Sequence, residues 1–257
     1  MHQEVAPRHY RIGLRAPEIT REAKAGQFCM VQVAEGLHPF LRRPMSFERL
    51  FADGFSILFK VEGEGTRMLA HQAADRELSI QGPLGNGFTV SSDIERHLIV
   101  AGGIGVAPFP ALAEEVIGLC GKAPEVIIAA RSGDLLLCNK EFEQMGCTVH
   151  LATDDGSVGT KGTAVDVLER LAPGPGTSVY ACGPMVMLRG AAQVAEAGGA
   201  ECFVSLEARM ACGDGACLGC VVESSSESEG ERMVRVCADG PVFDSRAINW
   251  AATDFVI

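Results

Sequence analysis

Two textures of apolar patterning divide this chain. Up to Val90, short β-type runs are broken by turns: Tyr10-Arg11-Ile12-Gly13-Leu14, Phe28-Cys29-Met30-Val31-Gln32-Val33, Phe55-Ser56-Ile57-Leu58-Phe59-Lys60-Val61 and Glu77-Leu78-Ser79-Ile80. Short strands at this spacing predict an antiparallel barrel or sandwich. One helix is expected there, over residues 66–74.

After Asp93 the apolar positions become continuous and alternate with helical stretches. Strands are predicted at Leu98-Ile99-Val100-Ala101, Val126-Ile127-Ile128-Ala129-Ala130, Val149-His150-Leu151-Ala152 and Ser178-Val179-Tyr180-Ala181, with helices over 109–118, 139–146, 164–171 and 186–197. Strands apolar on both faces and separated by helices predict a parallel sheet covered on both sides. From Glu201 the pattern changes again, to a cysteine-rich stretch containing Ser224-Ser225-Ser226-Glu227-Ser228-Glu229-Gly230-Glu231, which reads as a solvated loop or hairpin tip. The expected division is therefore 1–92, 93–200 and 201–257: a multi-domain α+β chain with an antiparallel β-barrel, an α/β parallel-sheet domain and a small C-terminal domain.

Composition narrows the function classes. A length of 257 residues suits two or three domains, and 47% hydrophobic with 21% charged residues excludes wholesale disorder and a fibrous architecture. The net charge of −11, with Arg42-Arg43 as the densest basic spot, opposes nucleic acid and anionic membrane surfaces. No run is seen to reach the roughly 18 apolar residues of a spanning helix, and Met1-His2-Gln3-Glu4-Val5 lacks the pattern of a secretory leader. A cytoplasmic address is the expectation. In that reducing setting the ten cysteines point to metal binding, redox chemistry or burial, not to a disulfide framework.

Four of them carry the strongest signal. Cys212, Cys217, Cys220 and Cys237 follow the pattern C-x4-C-x2-C-x16-C, whose first part is the plant-type [2Fe-2S] ligand spacing. Gly213, Gly215 and Gly219 suit a loop whose N–H groups must point at sulfur. Structural zinc takes two separated Cys/His pairs, a poorer match to this layout, and buried thiols are the plainest alternative. Cys29, Cys120, Cys138, Cys147 and Cys202 are read as buried, and the six histidines show no metal-ligand spacing.

Several turns are built for anionic ligands. Gly102-Gly103-Ile104-Gly105 follows a buried strand and opens a helix, as a diphosphate-binding turn does, although it lacks the G-x-G-x-x-G spacing. Cys182-Gly183-Pro184 ends another buried strand, which would bring both turns to the carboxyl edge of one sheet, with Cys182 at the mouth of the crevice. Arg43-Pro44-Met45-Ser46 couples a proline turn to a cation and a hydroxyl, and Gly65-Thr66 leads from a strand into a helix, with Thr66 as an N-cap or phosphate contact. Gly82-Pro83-Leu84-Gly85-Asn86-Gly87-Phe88 reads as a rigid connection to the next domain.

Taken in order, Arg43-Pro44-Met45-Ser46, Gly65-Thr66, Gly82-Pro83-Leu84-Gly85, Gly102-Gly103-Ile104-Gly105 and Cys182-Gly183-Pro184 resemble the ferredoxin-NADP+ reductase superfamily. With Glu207-Ala208-Arg209-Met210-Ala211-Cys212-Gly213 and Val236-Cys237-Ala238-Asp239-Gly240-Pro241-Val242-Phe243 added, the chain is similar to the electron-transfer subunits of type B dihydroorotate dehydrogenases over nearly its whole length. The resemblance implies an FAD-binding β-barrel (1–92), an NAD-binding α/β domain (93–200) and a [2Fe-2S] domain (201–257). It places Arg43, Pro44, Met45 and Ser46 against the flavin and its phosphates, Leu58, Phe59 and Lys60 along it, and Gly65 and Thr66 at the diphosphate. Gly102, Gly103, Ile104, Gly105, Gly183 and Pro184 would hold NAD(H), with Cys182 near the nicotinamide. The four C-terminal cysteines would hold the cluster. Met45 stands where many superfamily members carry tyrosine.

NADH gives up two electrons as a hydride, an iron-sulfur cluster accepts one at a time, and a flavin does both, so a chain with all three sites splits electron pairs. The resemblance implies an FMN-containing dihydroorotate dehydrogenase catalytic subunit as partner, in a heterotetramer of two of each, supporting oxidation of dihydroorotate to orotate in pyrimidine biosynthesis. Leu218, Val242 and Phe243 are candidates for contact with it. A second reading keeps the cofactors and changes the partner to that of a sulfide dehydrogenase, bifurcating transhydrogenase or hydrogenase; a third is a non-enzymatic redox sensor. Arg131 and Asp134, at the end of the second α/β strand, pull oppositely on a 2′-phosphate, so the expectation of NAD comes from the resemblance.

Overall fold

The computed structural model describes residues 1–225 and 233–252. Its N-terminal part contains strands β1 (His2–Ala6) and β2 (His9–Arg15), helix α1 (Pro17–Glu22), strands β3 (Phe28–Val31), β4 (Arg43–Ser46), β5 (Arg49–Leu50) and β6 (Gly54–Lys60), helix α2 (Glu64–Ala70) and strand β7 (Ile80–Leu84). The strands form two antiparallel sheets, ordered β1-β2-β6-β5 and β4-β3-β7. The expected barrel thus appears as two sheets around one core that includes Ile12, Val31, Met45, Phe47, Phe55, Ile57 and Phe59.

Alternation along β6 sends Phe55, Ile57 and Phe59 into that core and Leu58 into a different one. The segment read as a proline turn is strand β4 instead. It is an edge strand, where the missing N–H of Pro44 is tolerated. The strand expected at 77–80 begins only at Ile80, and the helix expected over 66–74 runs from Glu64 to Ala70.

The middle part follows the predicted alternation: β8 (Arg96–Gly102), α3 (Phe109–Cys120), β9 (Glu125–Ala130), α4 (Asn139–Gln144), β10 (Thr148–Thr153), β11 (Thr160–Lys161), α5 (Ala164–Leu171), β12 (Thr177–Cys182), α6 (Met185–Gly198) and β13 (Glu201–Ser205). Thr163 fixes the start of α5 by accepting the Asp166 N–H at 3.2 Å, while the Asp166 carboxylate accepts the Thr163 N–H at 2.7 Å. Further on come β14 (Val221–Glu223), β15 (Met233–Arg235) and β16 (Val242–Asp244).

The seven-stranded sheet is ordered β11-β10-β9-β8-β12-β13-β16, parallel throughout except for β16. It therefore continues past residue 200. Both β13 and β16 belong to it, and the cysteine loop with the β14–β15 hairpin is carried between them. Ser226–Glu231 of the predicted acidic tip lie outside the described residues.

One helical stretch, Gly103–Cys120, does reach the length and apolar character of a membrane span; it includes Glu114 and Glu115, and 56% of it is buried inside the protein. One core joins Phe28 and Met30 of β3 to a face of the large sheet and to Cys220, Val222, Val236 and Cys237. Another joins Leu58 and Phe88 to Ile99, Phe109, Leu112 and Tyr180.

Candidate cofactor and cluster sites

The loop from Ala211 to Cys220 has no regular secondary structure, and Gly213, Gly215 and Leu218 take φ of 80°, 90° and 58°. Gly213 is required twice over, because a Cβ there would also stand 2.5 Å from Met30 Cγ. The cysteine loop is thereby pressed onto β3.

The four cysteines form two pairs. The Cys217 N–H donates to Cys212 Sγ at 3.4 Å, and the Cys237 N–H donates to Cys220 Sγ at 3.4 Å. Gly219 N–H adds a bond to Cys217 Sγ at 3.4 Å. Donors aimed at sulfur favour thiolate, and the Cys217 thiol is drawn down to about 7, chiefly by the Gly219 N–H. Burial, with the Cys220 sulfur alongside, instead pushes Cys237 up to about 12.

Among the described residues no three His, Cys, Asp or Glu side chains converge as a single metal ion requires. Two adjoining cysteine pairs, one within the loop and one joining its end to Cys237, fit a two-iron cluster better, since each iron takes two thiolates and N–H groups face the sulfurs. Cys217 is exposed while Cys220 and Cys237 are buried.

At the N-terminal sheets, Arg43 and Gly65 meet. A Cβ on Gly65 would lie 2.6 Å from Arg43 Nε and 2.7 Å from its Nη2, so the guanidinium rests on the glycine at the start of α2. Arg43 also donates to the Leu41 carbonyl. Thr66 is not the N-cap: Gly63 is, and Thr66 Oγ1 accepts the N–H groups of Glu62 at 3.0 Å and Gly63 at 3.1 Å. Met45, Leu58 and Phe59 are buried in protein cores, while Pro44 and Ser46 lie on the opposite face of β4 from Met45. Lys60 pairs with Glu62.

In the large sheet, β8 and β12 are neighbours with Ala101 beside Cys182. Their following turns touch so closely that a Cβ on Gly105 would stand 2.3 Å from the Cys182 carbonyl oxygen. Gly102 similarly has no room beside Met187 and Pro184, whereas Gly103, at φ 55°, faces open space. The sequence-predicted glycines are thus brought together at one sheet edge, beginning in a 3-10 turn (Gly103–Val106) rather than directly in a helix.

Cys182 is buried there at 3% exposure, and burial, with Glu207 adding to it, holds the thiol far above its ordinary range. It is a protonated packing group, not an open nucleophile. Val242 and Phe243 lie in β16 and pack against the cores, leaving Leu218, 60% exposed, as the apolar side chain presented beside Cys217.

Sequence comparison decides the relationship. The chain is 37% identical over 249 residues to the electron transfer subunit of dihydroorotate dehydrogenase B (NAD(+)) from Desulforamulus reducens, covering 96% of this chain and 94% of that one. It belongs to that family. The homologous subunit from Bacillus mycoides is 35% identical over 94% of this chain and 93% of its own. Residues 207–249 match the iron-sulfur cluster binding domain of dihydroorotate dehydrogenase B, and residues 99–193 match the oxidoreductase NAD-binding domain.

Among solved structures, an NADH-dependent reduced ferredoxin-NADP oxidoreductase superposes with TM-score 0.84 at 25% identity, covering 98% of this chain and 88% of that one. The ferredoxin reductase of carbazole 1,9a-dioxygenase shares the fold at TM-score 0.66 and 20% identity, over 78% of this chain and 64% of its own. This member of the dihydroorotate dehydrogenase B family therefore has a ferredoxin-reductase-like fold with an NAD-binding domain and a C-terminal iron-sulfur domain. Sequence reasoning missed the Arg11, Glu48 and Glu141 side chains that join its sheets, which lie far apart in the chain and carry no motif.

Proposed function

We propose that the chain is the NAD(H)-linked electron-transfer subunit of a dihydroorotate dehydrogenase B, an iron-sulfur flavoprotein oxidoreductase that carries FAD and a [2Fe-2S] cluster. Its partner is the catalytic subunit that oxidises dihydroorotate to orotate in pyrimidine biosynthesis. The observation that carries this reading is the pairing of Cys212 with Cys217 in a loop pressed onto β3, and of Cys220, at the end of that loop, with Cys237 beyond the β14–β15 hairpin; β4, the neighbour of β3, bears Arg43.

Arg43, with Gly65 beneath it, would grip the flavin diphosphate, with Pro44 and Ser46 on the flavin side of β4. Met45, Leu58, Phe59, Lys60 and Thr66 shape that site from behind, through core packing and loop bonds. Gly102, Gly103, Ile104, Gly105, Gly183 and Pro184 form the turn pair where the NAD diphosphate approaches backbone N–H groups. Cys182, buried at the same edge, would pack near the nicotinamide without exchanging a proton.

When bound, flavin takes an electron pair from NADH as hydride and exchanges electrons singly with an iron-sulfur cluster, the chemistry this pairing of sites requires. Cys212, Cys217, Cys220 and Cys237 hold the iron, and exposed Cys217 with Leu218 marks the face where electrons pass to or from the partner. We assign residues 1–92 to flavin, 93–200 to NAD and 201–257 to the cluster, with β13 and β16 completing the sheet of the middle domain. The partner bears FMN, the assembly is a heterotetramer of two of each, and the location is the cytoplasm.

The test is anaerobic mixing of the purified chain with NADH, alongside iron and sulfide analysis. Flavin bleaching with equimolar iron and sulfide is expected, together with no turnover of dihydroorotate until the catalytic subunit is added. Zinc in place of iron and sulfide, or faster bleaching by NADPH, would overturn the corresponding assignment.

A further inference from the structure

The seam between the N-terminal sheets and the α/β domain holds a charge cluster, centred on a buried carboxylate, that no cofactor site uses. Glu48 is 0% exposed, and both its carboxylate oxygens accept from Arg11 Nε of β2, at 2.7 and 2.9 Å. Arg11 then reaches across the seam: its Nη2 donates to Glu141 Oε1 of α4 at 2.8 Å and to Cys138 Sγ at 3.6 Å. Cys138 Sγ lies 3.7 Å from Glu48 Oε1.

Each member is held from its own side. The Glu48 N–H donates to the Ser56 carbonyl at 2.8 Å, which fixes it in the N-terminal sheets, and its carbonyl accepts the Ala111 N–H of α3 at 2.8 Å. Cys138 sits at the start of α4 with φ 61°, a left-handed conformation that a cysteine keeps only where its surroundings hold it. A guanidinium is planar with donors in a fixed fork, so joining three groups on two domains fixes orientation as well as distance.

We propose that Arg11, Glu48 and Glu141 form a positioning latch that sets how the NAD-binding domain sits against the flavin-binding sheets, and so the approach of nicotinamide to flavin. The proposal rests on the functional reading above. Arg11 and Glu48 satisfy each other within one domain; the arm to Glu141 serves the seam alone. Hydride transfer depends steeply on the separation and alignment of donor and acceptor, so a seam free to shift by even one ångström slows it. Closure of the same seam buries Cys138 at 5% exposure, which makes its thiol a reporter of the latch.

The experiment compares the FAD-loaded and cluster-loaded chain with Glu141→Gln and Glu141→Asp. Two quantities are followed: the rate of flavin bleaching at saturating NADH, and alkylation of Cys138 by N-ethylmaleimide located by mass spectrometry. The Glu141 side chain is 30% exposed and Gln matches it in shape, so Glu141→Gln is expected to keep the fold, with FAD and iron contents equal to those of the unmodified chain. Bleaching should slow by about tenfold while Cys138 labelling accelerates by about tenfold, with Glu141→Asp recovering part of both. Unchanged bleaching, or slowed bleaching with Cys138 still protected, would overturn the latch. Failure of NADH to bleach the unmodified chain would instead overturn the functional reading, and Cys138 labelling in Glu141→Gln would then decide the latch by itself.

Discussion

The N-terminal sheets meet the rest of the molecule across two seams of opposite chemistry. Toward the α/β domain the contacts are long side chains: the Arg11, Glu48 and Glu141 cluster, the Arg49 to Glu114 pair at 2.9 Å, and Phe88 against Phe109 and Tyr180. Toward the cluster domain they are largely backbone and neutral. The Asn86 N–H donates to the Gly240 carbonyl at 2.6 Å, its side chain donates to the Asp239 carbonyl at 2.9 Å, and Gly213 lies directly on Met30. The first seam is set chiefly by charged and aromatic side chains; the second combines neutral packing by Phe28 and Met30 with glycines that leave no room for a side chain. Deleting atoms should therefore damage the first most, and adding atoms the second.

The largest effect is expected from Phe88→Ala. Phe88 is 5% exposed and its ring centre lies 5.7 Å from Phe109 and 5.6 Å from Tyr180, so it fills the centre of the side-chain seam. Truncating a buried phenylalanine costs about 3–5 kcal/mol, read from denaturant unfolding of the loaded chain. A loss below about 1 kcal/mol would show that this seam does not depend on its side chains, and the contrast would collapse.

Next comes Gly85→Val on the other seam. A Cβ at Gly85 would stand 2.6 Å from both the Gly240 carbonyl oxygen and Pro241 Cδ, and φ is 70°. Overpacking and the left-handed backbone together cost about 2–4 kcal/mol, concentrated where residues 85–86 clasp residues 239–241. Iron content should fall while FAD content and flavin bleaching by NADH persist. Full iron content in Gly85→Val would mean that the clasp can part without releasing the cluster loop.

The two seams also differ in how far the amino-acid sequence discloses them. Local signals survived well. The apolar strands from Arg96 to Cys182 alternate with helices and the central β8 and β12 are buried on both faces, while Thr163 with Asp166 marks the start of α5 by a bond between residues three apart. The cysteine spacing is local in the same sense, apart from Cys237, and so are the glycines of the cluster loop. What stayed hidden depends on pairing across distance. Strands β13 and β16 complete a sheet begun a hundred residues earlier, and β4 is a strand because β3 lies beside it. Arg11, Glu48 and Glu141 look like ordinary surface charges in sequence, since nothing within a few residues shows that Glu48 is fully buried.

The smallest effects sharpen the contrast furthest. Glu114→Ala removes one partner of an ion pair whose side chains are 38% and 34% exposed, and such a pair is worth about 0–1 kcal/mol. Asn86→Ala removes the donor to the Asp239 carbonyl at 2.9 Å and the Ala238 carbonyl at 3.3 Å, also worth about 0.5–1 kcal/mol at an exposed site. Magnitude cannot separate the two variants, but ionic strength can. Near 1 M salt the screening length shrinks to about 3 Å, so the cost of Glu114→Ala should fade between low and high salt. The cost of Asn86→Ala involves no net charge and should stay constant across the same range. Measuring both variants by denaturant unfolding at two concentrations of sodium chloride tests the division directly: equal salt dependence would mean that the seams share one chemistry, whereas a cost that fades only for Glu114→Ala assigns the charged seam to the NAD-binding side and the neutral one to the cluster.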